Sequence, residues 1–197
     1  MIRAIVREHG PIDNLELAHL FALANTAMAD SAISIWEAKY FYDFWRPVTA
    51  IREANVGSGP SGQGDGNGLT FGDPDFSPLA APASNLLLNN FTPPFPTYPS
   101  GHAGFGGALF ETLRRYYGTD DISFSFVSDE FNGQTIGLDG NIRPVVERSF
   151  SSLSQAEEEN GQSRIYLGIH FSFDKTSAID QGRQVGEFVF NNLYRPL

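Results

Sequence analysis

An all-α helical bundle is the fold class that this sequence predicts, on three observations. Residues 15–38 form a run that is apolar on almost every face, with Glu16, Asp30 and Glu37 its only formal charges. A Ser-Gly pair, Ser100 and Gly101, opens a second helix-compatible run that closes before Gly118. Two more such runs follow at 151–168 and 175–193, and no stretch alternates apolar and polar residues clearly enough to read as a strand.

Composition bounds what such a bundle does. A chain of 197 residues with 41% hydrophobic content fits one domain with a sizeable core. Its net charge of −10, with no basic stripe, excludes a large nucleic-acid footprint. The absence of cysteine removes disulfide frameworks and thiolate zinc sites together. The opening MIRAIVREHGPIDN lacks the continuous apolar core of a signal peptide, and no segment reaches the roughly 18 charge-free apolar residues of a membrane span. The chain therefore reads as soluble, and a secreted or periplasmic location follows only if a signal preceded Met1.

The elements follow in order. Residues 1–14 read as a tail, with His9 in it, and the folded domain is taken as 15–197. The first helix is predicted over 15–54, capped by Asn14 and broken or kinked near Pro47, which has no backbone donor. Its alanines, among them Ala18, Ala24, Ala27 and Ala32, lie on several faces, so the helix is expected to be central and buried, with His19 on one face. Residues 57–99 are rich in Gly, Pro, Asn and Asp and are expected to wrap the domain as a long loop. The second helix should run from Ser100 to Tyr117 with Gly118 at C′. Residues 119–143 read as irregular, and the third and fourth helices occupy the last two runs.

Three clusters of polar residues sit on these apolar elements. In KYFYDFWRP, Lys39 and Arg46 are seven apart, about two helical turns on one face, so both cations can point at one object. The ordinary alternative is a solvated Lys39–Asp43 pair at i,i+4. In YPSGH, the Ser100 hydroxyl and the free N–H groups of a helix start form an anion site. A plain N-cap explains Ser100 as well, but leaves His102 in the first turn unexplained. In SRIYLGIHFSFD, Arg164 and His170 are six apart, which requires the backbone to bend or end near Gly168, and Asp174 is placed four after His170 to fix its tautomer. A satisfied core histidine is the ordinary reading of that pair taken alone. Together, three cations, neutral donors and two histidines in an acidic protein describe an anion pocket.

The order K-x6-R-P, P-S-G-H and S-R-x5-H-x3-D resembles the signature shared by vanadium-dependent haloperoxidases and the type 2 phosphatidic acid phosphatase superfamily. The resemblance runs from about residue 15 to the C-terminus. It implies a bundle of that type, or only the C-terminal half of a longer family fold, since haloperoxidases are usually longer and carry a further N-terminal helical half. On that reading the first helix lacks partners within its own chain, and a missing half or a second copy would cover it.

The resemblance further implies vanadate as cofactor, with phosphate able to occupy the same site. His170 would be the metal ligand, and Lys39, Arg46, Ser100, Gly101 and Arg164 would hold the oxygens. His102 would act as acid–base and Asp174 would orient His170. Trp36 and Phe95 look like the aromatic pair that chloride-oxidising members place beside vanadate. The implied reaction is halide oxidation by hydrogen peroxide. The alternatives are an acid phosphatase acting on a phosphate ester through a phosphohistidine at His170, and a non-catalytic helical fragment that retains the pocket.

Overall fold

The computed structural model describes residues 1–10, 13–79, 92–137 and 139–195. The chain forms helices α1 (Ile2–His9), α2 (Asn14–Tyr42), α3 (Pro47–Arg52) and α4 (Gly101–Tyr117), then strands β1 (Phe124–Asn132) and β2 (Val145–Phe150), and ends with α5 (Leu153–Tyr166) and α6 (Ser172–Asn192). The expected helical bundle is present, with an antiparallel two-stranded ribbon added to it.

Helix α4 holds the centre. It packs most extensively on α6, and also against α2 and α5. Its small residues make this possible: Ala103, Gly104, Gly107 and Ala108 are all buried and let neighbours approach from several sides. The closest approach is backbone to backbone, for a Cβ on Gly182 of α6 would run into the carbonyl oxygen of Gly104. Gly118 ends α4 in the left-handed conformation, as expected of a C′ glycine.

The first predicted helix is corrected in three respects. It ends at Tyr42, where Asp43 turns left-handed at φ 45°, and the chain re-enters helix only at Pro47. Its cap is Asp13, whose carboxylate accepts from Leu15 N at 2.9 Å, and not Asn14. It is not buried all round either, since Leu23, Ala27 and Ile35 face the bundle while Leu15 and Ile33 stay more than two-thirds exposed, at 77% and 71%. Partners for its inner face lie within this chain, on α4 and α6.

Two regions read as irregular are ordered. Residues of the expected tail form α1, which packs on β1 and buries Ile5 completely beside Phe110 and Phe124. His9 Nε2 lies 2.8 Å from the carbonyl oxygen of Ser123 and donates to it, since a carbonyl has no proton to give. Strand β1 lies within the stretch expected to lack structure and pairs with β2 just beyond it, where Phe124, Phe126 and Phe150 cluster at centroid distances of 5.2–6.5 Å. Part of the expected wrapping loop, residues 80–91, lies outside the described residues; the flanking segments make turns after α3 and lead into the site before α4.

A buried carboxylate ties the bundle together. Glu157 of α5 is 1% exposed and takes Arg114 of α4 at 2.9 Å and Arg183 of α6. Paired on both sides, the charge is tolerated and locks the register of three helices. Among the described residues, no helix is long and apolar enough to cross a membrane.

Candidate functional site

Lys39, in the last turn of α2, is fully buried, and its ammonium donates to the carbonyls of Pro96 at 3.0 Å and Thr97 at 2.9 Å. The solvated Lys39–Asp43 pair is therefore not formed. Arg46 does not share a helix face with Lys39, as the seven-residue spacing implied, because the helix breaks at Asp43. It arrives instead from the extended residue before α3. Its Nε donates to Phe95 O at 2.9 Å and its Nη1 to Ile169 O at 2.8 Å and His170 Nε2 at 3.2 Å. Both cations thus clamp the segment before α4, and Thr97 N closes it onto Phe44 O at 2.9 Å.

Trp36 and Phe95 lie 5.4 Å apart between ring centroids. The Lys39 ammonium sits 5.6 Å from the Trp36 ring and 5.3 Å from the Phe95 ring, and the Arg46 guanidinium 5.0 Å from Phe95. Each ring offers its negative face to a cation that has little water around it.

Ser100 precedes α4 and is buried, yet its hydroxyl makes no capping bond and has no partner. A plain N-cap does not describe it. Gly101 follows with the Trp36 ring against it, so that a Cβ there would lie 2.9 Å from the indole edge. A side chain there would have to displace the Trp36 ring.

His170 is reached from Arg164, in the last turn of α5, through a left-handed Gly168 at φ 71°, which is the bend that the six-residue spacing requires. His170 Nδ1 donates to Asp174 Oδ2 at 2.9 Å, leaving the Nε2 lone pair to face Arg46. The same carboxylate oxygen accepts from Thr97 Oγ1 and from Phe171 N at 3.0 Å, while Oδ1 has no partner. Asp174 sits at the third position of α6, and Ser100 N donates to its backbone carbonyl at 3.1 Å.

His102, in the first turn of α4, is an exposed residue whose carbonyl is held by Asn160 Nδ2 at 2.7 Å. Its own surface is open, but dense protein around it and then Arg164, His170 and Lys39 lower its pKa to about 4. Burial first, and Arg46 and Lys39 with it, lowers His170 to about 4 against the opposing pull of Asp174. Lys39 falls to about 7, mainly through burial and then through Arg46. Arg46 falls to about 10 through burial, opposed by Asp174. These shifts describe cations gathered with too little negative charge.

The sequence brought forward Lys39, Arg46, Arg164, Asp174 and both histidines of this cluster. It missed Thr97 and the carbonyls of Phe95, Pro96 and Ile169. Thr97, two residues before Pro99, carried a signal as a hydroxyl in an apolar approach to Ser100. The carbonyls carried none.

The residues fit a tetrahedral oxyanion on the observations above: an orphaned buried hydroxyl at a helix start and one hydrogen-bonded carboxylate among several cations. The pattern of the VCPO second helical-bundle domain matches residues 19–197. The chain belongs to this family. It is 37% identical to the vanadium chloroperoxidase of Curvularia inaequalis over 86% of this chain and 30% of that protein. Among solved structures it resembles a bacterial vanadium-dependent iodoperoxidase, with TM-score 0.69 and 30% identity over 98% of this chain and 37% of that one. It also shares the fold of a holo-type bacterial vanadium-dependent chloroperoxidase, at TM-score 0.60 and 21% identity, covering 86% of this chain and 34% of the other. This VCPO-family chain spans about a third of the length of the relatives it matches.

Proposed function

We propose that residues 15–197 form a catalytic unit that binds vanadate and oxidises halide with hydrogen peroxide, as a vanadium-dependent haloperoxidase. The observation that carries the reading is the buried, unpartnered hydroxyl of Ser100, the residue at the start of α4 whose backbone N–H joins it to Asp174, which holds His170. His170 would ligate the metal through Nε2, its tautomer held by Asp174. Lys39, Arg46, Arg164, the Ser100 hydroxyl and the Gly101 N–H would hold the oxygens. When bound, vanadate supplies the Lewis acid that activates peroxide.

The protein's own part is electrostatic and positional. Buried cations and a helix N-terminus stabilise negative charge where water is scarce. His102, neutral at pH 7 with a pKa near 4, accepts a proton at its ring and returns it. An oxyanion beside it raises that pKa towards the working range. Trp36 and Phe95 exclude water from the Lys39 side.

A neutral His170 with its lone pair on Nε2 also suits attack on phosphorus, which keeps a phosphohistidine phosphatase as the second reading. The deciding experiment loads the full chain with orthovanadate and measures halide-dependent peroxide consumption, then assays phosphate-ester hydrolysis without vanadate. Peroxide consumption that needs both vanadate and halide supports the haloperoxidase. Ester hydrolysis with a trapped phosphohistidine supports the phosphatase. Oxyanion binding with neither activity identifies a pocket retained without catalysis.

A further inference from the structure

We propose that Thr97 is a positioning residue of the reaction centre: its hydroxyl closes a hydrogen-bonded triangle with His170 and Asp174, and this keeps the imidazole aimed when a ligand takes Nε2 from Arg46. The proposal rests on the oxyanion reading of the site and adds to it a residue outside the three sequence clusters.

The triangle has sides of 2.5 Å from Thr97 Oγ1 to Asp174 Oδ2, 2.9 Å from Oδ2 to His170 Nδ1 and 3.1 Å from Nδ1 back to Oγ1. Counting protons assigns each side. An ionised carboxylate only accepts, so the hydroxyl hydrogen goes to Oδ2. The lone pairs of Oγ1 then face Nδ1, which carries a hydrogen of its own and shares it between Oδ2 and Oγ1. Two acceptors converging on one N–H restrain the tilt of the ring more than one does.

Thr97 serves as the fixed corner because it has little freedom left. It is fully buried, its N–H donates to Phe44 O at 2.9 Å, and its carbonyl accepts from Lys39 Nζ at 2.9 Å. Its β-branched side chain is stiff at χ1. Asp174, by contrast, holds three donors on Oδ2 and none on Oδ1. Turning the carboxylate about its last bond would exchange the two oxygens, and the Thr97 hydroxyl is one of the bonds that resist it.

The imidazole is thus held at both nitrogens, by Arg46 at Nε2 and by the triangle at Nδ1. A ligand that bonds Nε2 removes the first hold, so the second has to position the ring alone. A ligand held only by the cations and Ser100 does not draw on it.

Calorimetric titration of the full chain with orthovanadate and with sulfate separates these two kinds of ligand. Thr97→Val, which exchanges the hydroxyl for a methyl of similar size, should weaken vanadate about three- to tenfold, the worth of one net hydrogen bond. Sulfate should change by less than about twofold, since groups that share no partner act independently. Thr97→Ser keeps the hydroxyl and should restore the parent values. In the ligand-free protein the His170 Nδ1–H, followed by NMR, should exchange with solvent faster in Thr97→Val than in the parent or in Thr97→Ser. Thr97→Ala takes the place of the valine variant if that variant does not fold. Vanadate affinity that does not change in Thr97→Val overturns the proposal, as do equal losses in Thr97→Val and Thr97→Ser, or a loss of sulfate as large as that of vanadate. If the parent binds neither oxyanion, the pocket reading fails and the exchange of Nδ1–H decides the role of Thr97 by itself: faster exchange in Thr97→Val alone upholds it, and equal exchange in all three proteins overturns it.

Discussion

Arg46 Nη1 donates to Nε2 of His170 at 3.2 Å, so the lone pair that Asp174 frees on the imidazole is met by a guanidinium. A ligand at that nitrogen has to displace this bond. The contact also explains part of the low basicity of His170, after burial.

Removing the Arg46 charge should therefore raise the His170 pKa from about 4 towards 6.5. Arg46→Gln is the suitable change, followed by NMR titration of the imidazole in protein shown to be folded by circular dichroism. Stability should fall by about 2–4 kcal/mol, since the Phe95 and Ile169 carbonyls lose a charged donor. A His170 titration that stays where it is would refute the electrostatic account.

Ser100→Ala separates a cap from a ligand donor. An N-cap serine typically contributes about 1 kcal/mol. Ser100 makes no capping bond, so the unfolding midpoint in urea should scarcely move. Phosphate or vanadate affinity should fall about tenfold, the worth of one hydrogen bond to a charged group. The opposite pattern, lost stability with unchanged affinity, would return Ser100 to a structural role.

Lys39 sets a pH dependence whose direction follows from its shift. Its pKa is about 7 in the fold against the ordinary lysine value of 10.5, so the unfolded chain binds more protons between those values and stability rises with pH across that window. His102 and His170, near 4 against 6.5, act in the same direction at lower pH. A bound anion reverses the effect by favouring the protonated forms. Sulfate, which does not titrate in this range, should bind with proton uptake and weaken as pH rises through 7. Calorimetry in two buffers of different ionisation enthalpy measures the uptake, and a pH-independent affinity would contradict it.

Asp174→Asn removes the carboxylate that opposes the loss of charge on both Lys39 and Arg46. The cost should be about 3–5 kcal/mol, as for a broken buried ion pair. Added sulfate should restore part of it by supplying negative charge at the same place. Urea unfolding with and without sulfate tests this, and an equal loss in both would show that the hydrogen bonds to Thr97 and Phe171 matter more than the charge.

Much of the site was legible because its members are costly to bury. Lys39, Arg46, Arg164 and Asp174 stand out on apolar elements, and a buried charge needs a reason wherever it lies. Their approach routes were less legible. The break at Asp43 follows from a left-handed residue that the sequence marks only weakly, so the spacing implies a shared helix face where the chain turns. The ribbon is hard to read from the sequence although Phe124 and Phe126 alternate with Ser125, because the bulge at 128–131 interrupts the period before a strand's length is reached. Helix α1 is short, and its order comes from burying Ile5 against distant Phe110 and Phe124, which local pattern does not show. The carbonyls that receive Lys39 and Arg46 belong to every residue alike, so composition cannot single them out.

Where Gly182 meets Gly104, no side chain stands between α6 and α4. Two peptide backbones in van der Waals contact act as a ruler with no adjustable part, and the bond from Ser100 N to Asp174 O fixes the same helices near their N-termini. The distance between the start of α4 at Ser100 and Asp174, which holds His170, is thus indifferent to how the hydrophobic interior is filled. Substitutions around Phe110 or Leu113 can loosen or tighten the protein as a whole while the spacing of Ser100 and Asp174 stays the same.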